Sequence, residues 1–437
     1  MSAKVSVLGL GYLGATQAIV LAEMGHLVVG VDTDESKVRA LQRGELHFYE
    51  PGLQEMLEKS LASGRLTFRC SYDQELEEVD VHFICVGTPT LTTEGEVDLS
   101  AVHSAGLSLA PFIKHGAVIV GRSTVPPGTA AQLKRILTSA ISVAFYLAWN
   151  PEFLSEGSAI EDSLSPSRIV VGVDDEESLR MLRGIYEPQI KAGIPFIAVD
   201  VPTSELVKVA SNSFLALKIS YINGVAEIAE RVGASTTALA KALGLDPRIG
   251  SRFLQNGLGF GGGCLPKDLL GFANTARELK ATGLAKLLDA TSEINTGKIS
   301  RTISLATKKL GDLANRKVAV LGIAFKPDTD DSRESPGLKL AEELIALGCS
   351  IKIHDPVVRS TGLKSLDDCL TTDLHDTVDS AELVIVATGW KEYNSFSPKS
   401  KRASLTRLVI DGRSVINVEA WAGAGWNVIK LGEGSQL

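Results

Sequence analysis

The sequence is poor in cysteine and histidine, and this shortage excludes two kinds of site. Its 437 residues include five cysteines and seven histidines. An odd number of widely spaced cysteines excludes a disulfide framework and fits a reducing cytoplasm. No CxxC occurs, and no two histidines lie three or four residues apart. We therefore expect neither a local zinc site nor any other bound metal.

Positive charge and long apolar runs are also scarce. The formal net charge is −8, which argues against nucleic acid or an anionic membrane as the main partner. No apolar run approaches the roughly 18 residues of a membrane span. A strand expected at Val5–Leu8 leaves no room for a signal peptide. We therefore expect a cytoplasmic protein without nucleic-acid or membrane partners.

The N-terminus carries a dinucleotide-binding fingerprint. Residues 4–14 read KVSVLGLGYLG, a short apolar strand that runs into Gly9, Gly11 and Gly14 before an alanine-rich helix. A second strand then ends in Asp32. Strand, glycine turn, helix, strand and acid are the context that a nicotinamide dinucleotide requires. Asp32 would accept hydrogen bonds from the ribose and repel a 2′-phosphate, so NAD is favoured. The alternative is a glycine-rich turn that binds no nucleotide.

Three further strands, expected at 79–86, 117–121 and 144–149, end in loops that could face a ligand. Loops at the carboxyl ends of parallel strands carry the ligand in doubly wound sheets. Glu152 and Glu156, in the stretch NPEFLSEG, are the acids that we expect to face a substrate. The alternative for each is a solvated surface carboxylate.

A long helix is predicted from residue 202 to about residue 232. About 30 residues at 1.5 Å each make about 45 Å, a length that suits a link between two domains. Lys208, Asn212 and Asn223 fall in one sector of this largely apolar helix. They therefore need polar partners, either a substrate oxygen or, alternatively, water and a neighbouring backbone group.

The stretch GFGGGCLPKD, residues 259–268, places Cys264 after a run of glycines and before Lys267. Glycine lets a backbone approach a ligand closely, and a nearby lysine raises the thiolate fraction of a cysteine. We therefore interpret Cys264 as a nucleophile. A buried cysteine at the end of a tight turn is the alternative.

Alternating strand and helix patterns begin again near residue 315, but this part of the chain lacks a full GxGxxG motif. Lys326, Arg333 and Arg413 follow strand ends there, which favours a phosphate-bearing ligand. We predict an α/β protein with two Rossmann-like doubly wound domains joined by a central helical domain with a long helix. The predicted domains are 1–200, 201–312 and 313–437.

These stretches resemble, over essentially the whole chain and in the same order, the UDP-glucose/GDP-mannose dehydrogenase family. The matching segments are GLGYLG, VDTD, FYEPGL, VGTP, STVPPGT, NPEFLSEG, SELVKVASNSF, PRIGSRFL, GFGGGCLPKD, AFKPDTDDSRESP and DGR. The context of the cysteine loop is more similar to the members that act on UDP-glucose. One departure is Gly263, which is serine in many relatives, so a hydroxyl contact there is absent.

The resemblance implies an NAD domain, a central helical domain and a sugar-nucleotide domain. It implies four-electron oxidation of carbon 6 of UDP-glucose to UDP-glucuronate, with two NAD and water. A thiol is then needed because an aldehyde is a poor hydride donor until a nucleophile adds to it. Cys264 would form a thiohemiacetal and then a thioester.

The resemblance also implies roles for other catalytic residues. Lys208 and Asn212 would stabilise the developing oxyanion. Asp268, with Lys208 and a water near Thr124, would handle the first proton. Glu152 would act as general base in thioester hydrolysis.

Further positions are implied to bind ligands. The cofactor positions are Gly9, Gly11, Tyr12, Leu13, Gly14, Asp32, Lys37, Thr88, Pro89, Ser123, Thr124, Glu156, Lys267 and Arg333. The substrate positions are Glu152, Phe153, Leu154, Lys208, Asn212, Arg248, Phe253, Leu254, Phe260, Gly261, Cys264, Phe325, Lys326 and Arg413. Arg248 matches a position that reaches the substrate of a neighbouring subunit, so we expect a homodimer or a larger homo-oligomer.

Three alternatives remain open. The same chemistry could act on GDP-mannose or a UDP-N-acetylhexosamine instead of UDP-glucose. Residues of the base and sugar pockets determine which of these nucleotide sugars binds. A two-electron hydroxyacid dehydrogenase would have a similar architecture but no need of Cys264. A non-catalytic NAD-binding module is the third.

Overall fold

The computed structural model describes residues 2–92, 95–399 and 407–434. The chain forms two compact units, residues 1–211 and 212–437. Each contains a sheet of short strands, most of which are buried. The α/β class with two Rossmann-like sheets and a helical region between them is confirmed. The three-domain division stays a prediction.

The first unit is built on an eight-stranded sheet. Its strands, in chain order, are β1 (Lys4–Leu8), β2 (Leu27–Val31), β3 (Leu66–Arg69), β4 (Val81–Ile84), β5 (Val118–Gly121), β6 (Tyr146–Trp149), β7 (Ile169–Gly172) and β8 (Phe196–Val199). The spatial order is β3-β2-β1-β4-β5-β6-β7-β8. The first six strands are parallel in the order typical of dinucleotide-binding sheets. The β6–β7 pair is antiparallel, which the sequence did not indicate.

Helices cover both faces of this sheet. They are α1 (Tyr12–Glu23), α2 (Glu35–Gln42), α3 (Leu53–Ala62), α4 (Ser100–Leu109), α5 (Thr129–Ala140), α6 (Ala159–Leu164), α7 (Glu176–Ile185) and α8 (Glu187–Lys191), with two short 3₁₀ helices at Gln74–Glu78 and Ala110–Phe112. Two apolar clusters, one on each side of the sheet, bury its alternate side chains. Such burial on both faces explains why strands such as β4 and β5 read as continuous apolar runs.

The long helix is present. α9 spans Val201–Val232, 32 residues, close to the predicted 202–232. It begins in the first unit, where the buried carboxylate of Glu205 accepts hydrogen bonds from the backbone N–H groups of Gly128 and Ala130, both at 2.7 Å. These groups lie at the start of α5, whose first-turn N–H groups need acceptors. α9 then continues into the second unit.

Three more helices follow α9 in the second unit. They are α10 (Thr236–Gly244), α11 (Leu265–Glu278) and α12 (Thr282–Leu310). The chain breaks between Glu278 at the end of α11 and Thr282 at the start of α12. Lys280 adopts a left-handed φ of 59° there, which lets the chain reverse. α9, α11 and α12 share a small apolar core.

The second sheet is wholly parallel and has six strands. They are β9 (Lys317–Leu321), β10 (Ser350–His354), β11 (Leu370–Thr371), β12 (Leu383–Val386), β13 (Leu408–Asp411) and β14 (Asn427–Lys430), with helices α13 (Pro336–Ala346), α14 (Lys364–Asp367), α15 (Leu374–Asp379), α16 (Lys391–Ser395) and α17 (Val418–Gly423). The order β11-β10-β9-β12-β13-β14 repeats the six-strand arrangement of the first sheet. No helix in the described segments has the length and apolar character needed to cross a membrane.

His82, in the centre of β4, should make the stability of the fold depend on pH. It is fully buried beside Ser6, with 2.8 Å between Nδ1 and Oγ, and burial lowers its pKa to about 3. In the unfolded chain its pKa is about 6.5. The native state therefore loses stability as pH falls below about 6.5, because only the unfolded chain takes up the proton.

We expect wild type to lose about 2 kcal/mol more unfolding free energy between pH 7 and pH 5 than the His82→Asn variant does. Urea unfolding at the two pH values measures this difference. Wild type is compared with the variant because the other titratable groups are common to both proteins, so their contributions cancel in the difference. Identical pH dependence in the two proteins would show that His82 is not the responsible group.

Candidate active site

The glycine turn after β1 forms a cradle for a dinucleotide. A Cβ on Gly14 would overlap the carbonyl oxygen of Gly9, so helix and turn pack at backbone distance. A Cβ on Gly11 would meet open space. Gly11 is also the N-cap of α1, and no side chain caps that helix. Its first N–H groups, at Tyr12 and Leu13, can therefore bind the pyrophosphate of NAD.

Asp32 lies at the end of β2, as the dinucleotide fingerprint requires. Its Oδ2 accepts a hydrogen bond of 2.6 Å from the backbone N–H of Leu10, and Lys37 Nζ lies 3.0 Å from the same oxygen. Oδ1 accepts one from the N–H of Asp34 at 2.9 Å. These contacts fix the carboxylate beside the cradle, where it can accept hydrogen bonds from ribose hydroxyls. The residues present therefore fit NAD.

The loops that follow β4 and β5 are tied together. Thr88 Oγ1 donates to the carbonyl oxygen of Thr124 at 2.8 Å, and Ser123 Oγ donates to that of Val86 at 2.6 Å. Pro89 is exposed in the first loop. The four predicted positions in these loops are thus brought together at the carboxyl edge of the first sheet.

A buried ion pair fixes Glu152, and no motif in the sequence indicates this pair. Arg122, 5% exposed, follows β5 and pairs through Nη2 with Glu152 Oε2. Its Nη1 donates to Asn150 Oδ1 and to Tyr186 Oη. The other carboxylate oxygen, Oε1, accepts from the backbone N–H groups of Phe153 (2.6 Å) and Leu154 (3.0 Å).

Two cationic side chains lie over the ring of Phe153. The guanidinium carbon of Arg168 lies 4.1 Å from the ring centroid, and Nζ of Lys208 lies 5.5 Å from it. Lys208 is 9% exposed, so the ring and the start of α9 hold its ammonium near the NPEFLSEG loop. Arg168 was not predicted as a site residue.

Glu50 is a third residue at this site that the sequence did not predict. Its buried carboxylate accepts hydrogen bonds from the hydroxyl of Tyr12 and from the backbone N–H groups of Gly157 and Ala159, the latter two at 2.6 and 2.7 Å. It therefore joins the cradle helix to the loop that holds Glu156. Burial raises the pKa of Tyr12 well above its usual value, and the hydrogen bond to Glu50 adds to this. The segment FYEPGL was the available signal, because it holds an acid between apolar and turn residues.

In the second unit, the thiol of Cys264 stands at the start of α11. Cys264 is exposed and is the N-cap residue of that helix. One turn later, Asp268 is 3% exposed. Its carboxylate accepts a hydrogen bond of 2.7 Å from Asn212 Nδ2 and pairs with Lys267 Nζ at 2.6 Å. The structure therefore brings together four predicted residues of the second unit.

The glycines before Cys264 pack closely against residues 325–334 of the same unit. A Cβ on Gly262 would fall 2.8 Å from the ring of Phe325, and one on Gly263 would fall 2.7 Å from the guanidinium of Arg333. A Cβ on Gly261 would overlap a backbone oxygen of Glu334. The backbone N–H of Gly262 donates to the carbonyl oxygen of Arg333 at 2.9 Å. The loop thus needs glycine because residues 325–334 take the space of its side chains.

Three predicted cations line the ligand edge of the second sheet. Arg333 forms a fork with Asp331, with its Nε and Nη2 donating at 2.9 and 2.7 Å. Lys326 Nζ lies 5.5 Å from the ring centroid of Phe325. Arg413 donates from Nε to the carbonyl oxygen of Ala387 at 2.6 Å. Its Nη2 is buried and has no hydrogen-bond partner among the described residues, as expected of a donor that a ligand completes.

The remaining predicted substrate positions differ in exposure. Leu254 and Phe260 are buried, and Phe260 packs in the core that α9, α11 and α12 share. Phe253 is 39% exposed and has a left-handed φ of 64°, an unusual conformation for an aromatic residue. Arg248 is exposed, with Nη2 2.6 Å from the carboxylate of Asp246.

Removing the guanidinium of Arg122 should destabilise the first unit strongly. In Arg122→Met the buried carboxylate of Glu152 loses its cation, so we expect a loss of about 3–5 kcal/mol in urea unfolding. Arg122→Met/Glu152→Gln should recover part of that loss, because no uncompensated charge remains. Arg168→Met, which removes an arginine stacked on Phe153, should cost only about 1 kcal/mol. If the losses of unfolding free energy caused by Arg122→Met and by Glu152→Gln simply add in the double variant, the two side chains are not energetically coupled. That result would contradict this prediction.

Three family models match successive parts of the chain. All describe the UDP-glucose/GDP-mannose dehydrogenase family: its NAD binding domain over residues 3–190, its central domain over 202–297 and its UDP binding domain over 319–418. These matches cover the glycine cradle, the cysteine loop and much of the second sheet. They confirm the resemblance.

Individual relatives agree over nearly the whole length. The chain is 36% identical to a UDP-glucose 6-dehydrogenase of Rhizobium meliloti (strain 1021), over 98% of this chain and 99% of that protein. A solved UDP-glucose dehydrogenase from the archaeon Pyrobaculum islandicum is 38% identical, with a TM-score of 0.89 and 98% of each chain covered. A UDP-D-ManNAc dehydrogenase from Pyrococcus horikoshii is 27% identical, with a TM-score of 0.85, covering 99% of this chain and 100% of that one.

The matches span both sheets, and the cradle has the residues that a dinucleotide needs. The chain therefore belongs to the UDP-glucose/GDP-mannose dehydrogenase family and is an NAD-dependent dehydrogenase that acts on a nucleotide sugar.

Proposed function

We propose that the protein oxidises UDP-glucose at carbon 6 to UDP-glucuronate in two steps, with Cys264 as covalent nucleophile. The observation that carries this proposal is the exposed thiol at the N-terminus of α11, one helical turn before the buried carboxylate of Asp268. A helix N-terminus and a nearby lysine, here Lys267, both favour the thiolate. Relatives at 36–38% identity are UDP-glucose dehydrogenases, whereas the UDP-D-ManNAc enzyme is 27% identical.

The thiol gives a route from aldehyde to acid. NAD, when bound, accepts the hydride that leaves carbon 6 in each oxidation. The thiolate of Cys264 adds to the aldehyde carbon, and the oxygen takes up a proton to give a thiohemiacetal. Loss of a hydride and of that proton leaves a thioester. Water then breaks the carbon–sulfur bond, which releases the carboxylate and the thiol.

Asn212 and Asp268 are suited to support this chemistry. Their hydrogen bond of 2.7 Å fixes the Asn212 amide, so that its remaining N–H can be directed at a substrate oxygen. The Asp268 carboxylate, with Lys267 beside it, can accept a proton and pass it on. The roles of Lys208, Thr124 and Glu152 in oxyanion stabilisation and proton transfer stay predictions, as does the assignment of the remaining positions to cofactor or substrate.

The yield of NADH should distinguish this reaction from its alternatives. Wild type supplied with limiting UDP-glucose should produce two NADH per sugar, measured by absorbance, and one UDP-glucuronate. The turnover rate of the Cys264→Ser variant should be at least about 10³-fold lower than that of wild type, because a serine hydroxyl is a far weaker nucleophile than a thiolate at neutral pH. NAD affinity, measured separately by fluorescence titration, should be unchanged in that variant.

Other outcomes identify other enzymes. Turnover only with GDP-mannose or a UDP-N-acetylhexosamine would refute UDP-glucose as the substrate but keep the chemistry. One NADH per substrate and full activity of Cys264→Ser would indicate a two-electron hydroxyacid dehydrogenase. NAD binding without turnover of any nucleotide sugar would indicate a non-catalytic module.

We also propose that the protein is a homodimer or a larger homo-oligomer. Phe214, Tyr221 and Ile228, which we call the α9 stripe, are 61%, 56% and 60% exposed. Their seven-residue spacing places them on one face of α9. Leu287 and Ile294, also seven apart, are exposed on α12, which packs against α9 through a hydrogen bond from Ser220 Oγ to the Thr291 carbonyl oxygen.

An apolar stripe of this length on a helix favours association with a second copy. Size-exclusion chromatography with light-scattering detection should therefore give wild type a molar mass at least twice the chain mass of 46.4 kDa. Tyr221→Glu/Ile228→Glu should run as a monomer, since two carboxylates would be buried in the interface. Leu363→Glu, an exposed leucine near α14, is the matched control. A monomeric wild type would overturn the proposal and the role expected of Arg248.

Two other expectations stay predictions. The cytoplasmic location rests on the number and spacing of the cysteines. The division into NAD, central and nucleotide-sugar domains at residues 1–200, 201–312 and 313–437 can be tested by limited proteolysis.

A further inference from the structure

A cavity of about 290 Å³ lies between α9 and α12 in the second unit. Its wall includes four cationic side chains, Arg231, Lys298, Arg301 and Lys308, and one carboxylate, Glu230. None of the residues proposed for catalysis is among its described lining residues. A cluster of this kind is unexpected in a chain whose net charge is −8.

Lys298 is the most buried cation of the cavity. It is 5% exposed, and Nζ lies 3.3 Å from the carbonyl oxygen of Asn223 and 3.6 Å from Glu227 Oε1. The carboxylate is thus farther than a normal hydrogen bond. Burial lowers the pKa of Lys298, and the charge of Glu227 opposes this. A buried ammonium so weakly compensated would gain from a second anion nearby.

The other charges leave an excess of positive charge. Arg301 pairs with Glu230 and lies 3.8 Å from Glu227. Lys298 and Arg301 are therefore matched by two carboxylates. Arg231 and Lys308 have no ion-pair partner among the described residues. The cavity consequently carries about two uncompensated positive charges at neutral pH.

We propose that this cavity binds a small phosphate-bearing anion, such as inorganic pyrophosphate or a simple phosphate ester. The two uncompensated positive charges balance the negative charge of a phosphate group, and the N–H groups of an arginine have the geometry to donate hydrogen bonds to its oxygens. The volume is at the lower end for small-molecule sites, so a compact ligand fits better than a sugar nucleotide. Thr302, Ser304, Leu305 and Leu431 complete the lining, and none of these four side chains is charged.

The probe for this site is pyrophosphate, titrated by calorimetry into the full chain. The protein is first saturated with UDP, so that the site proposed for the nucleotide sugar is filled. We expect saturable binding that weakens between 50 and 200 mM salt. Arg231→Ala/Lys308→Ala should weaken it by at least about tenfold, because it removes both uncompensated charges. Lys309→Ala, which removes the same charge from the neighbouring position outside the cavity, should change it less than about twofold.

Several results would overturn the proposal. They are the absence of binding to the UDP-saturated protein, equal weakening by Lys309→Ala, and undiminished binding to the double variant. Citrate that binds as tightly as pyrophosphate would refute the preference for phosphate. The affinity for UDP and the rate of NADH formation report whether the double variant is folded. Lys308→Glu, a single change at an exposed position, is a second test and should abolish binding.

Discussion

The buried pair between Arg122 and Glu152 is the constraint on which the ligand edge of the first unit depends. A charge buried at the end of a sheet is tolerated only when opposite charge and hydrogen bonds surround it. Arg122 meets this need by holding the Glu152 carboxylate, the amide of Asn150 and the hydroxyl of Tyr186. Asn150 in turn donates to the carbonyl oxygen of Val170 in β7, at 2.7 Å. One guanidinium therefore orders the loops after β5 and β6 and joins them to the antiparallel strand.

The second unit achieves order by a different means. Backbone contact, rather than a buried charge, fixes the loop before Cys264, because glycines let residues 325–334 approach it directly. Asn223 adds a hydrogen bond from the backbone N–H of Gly257 to its Oδ1, at 2.8 Å. The two sheets share a strand order, yet only the first has the open glycine turn that suits a dinucleotide. The difference between the units thus lies in their loops, where function usually resides.

The sequence predicted what is local and missed what depends on distant contacts. The strands around Gly9 and the helix from residue 202 were predicted well, because period and turn residues mark them within a short window. The break near Lys280 was not predicted, because the nearest glycine, Gly283, lies inside the helix that follows. The β6–β7 reversal has no local signal either. Arg122 and Glu50 are single charged residues in the sequence, and only their burial reveals what they hold. Cys264 was predicted from the glycine run and from the resemblance, whereas Asp268 was predicted from the resemblance alone.

The contacts of the cysteine loop have a consequence for how the protein is made. The loop takes its shape from residues 325–334 and from Gly412, whose carbonyl oxygen occupies the space beside Gly257. These residues are synthesised well after residue 264, and domains fold in order as the chain emerges from the ribosome. The loop around Cys264 therefore takes its native shape only when the last part of the chain has folded. A ribosome-bound chain that ends before residue 325 has every residue of its dinucleotide cradle, yet it lacks the residues that shape the loop around Cys264.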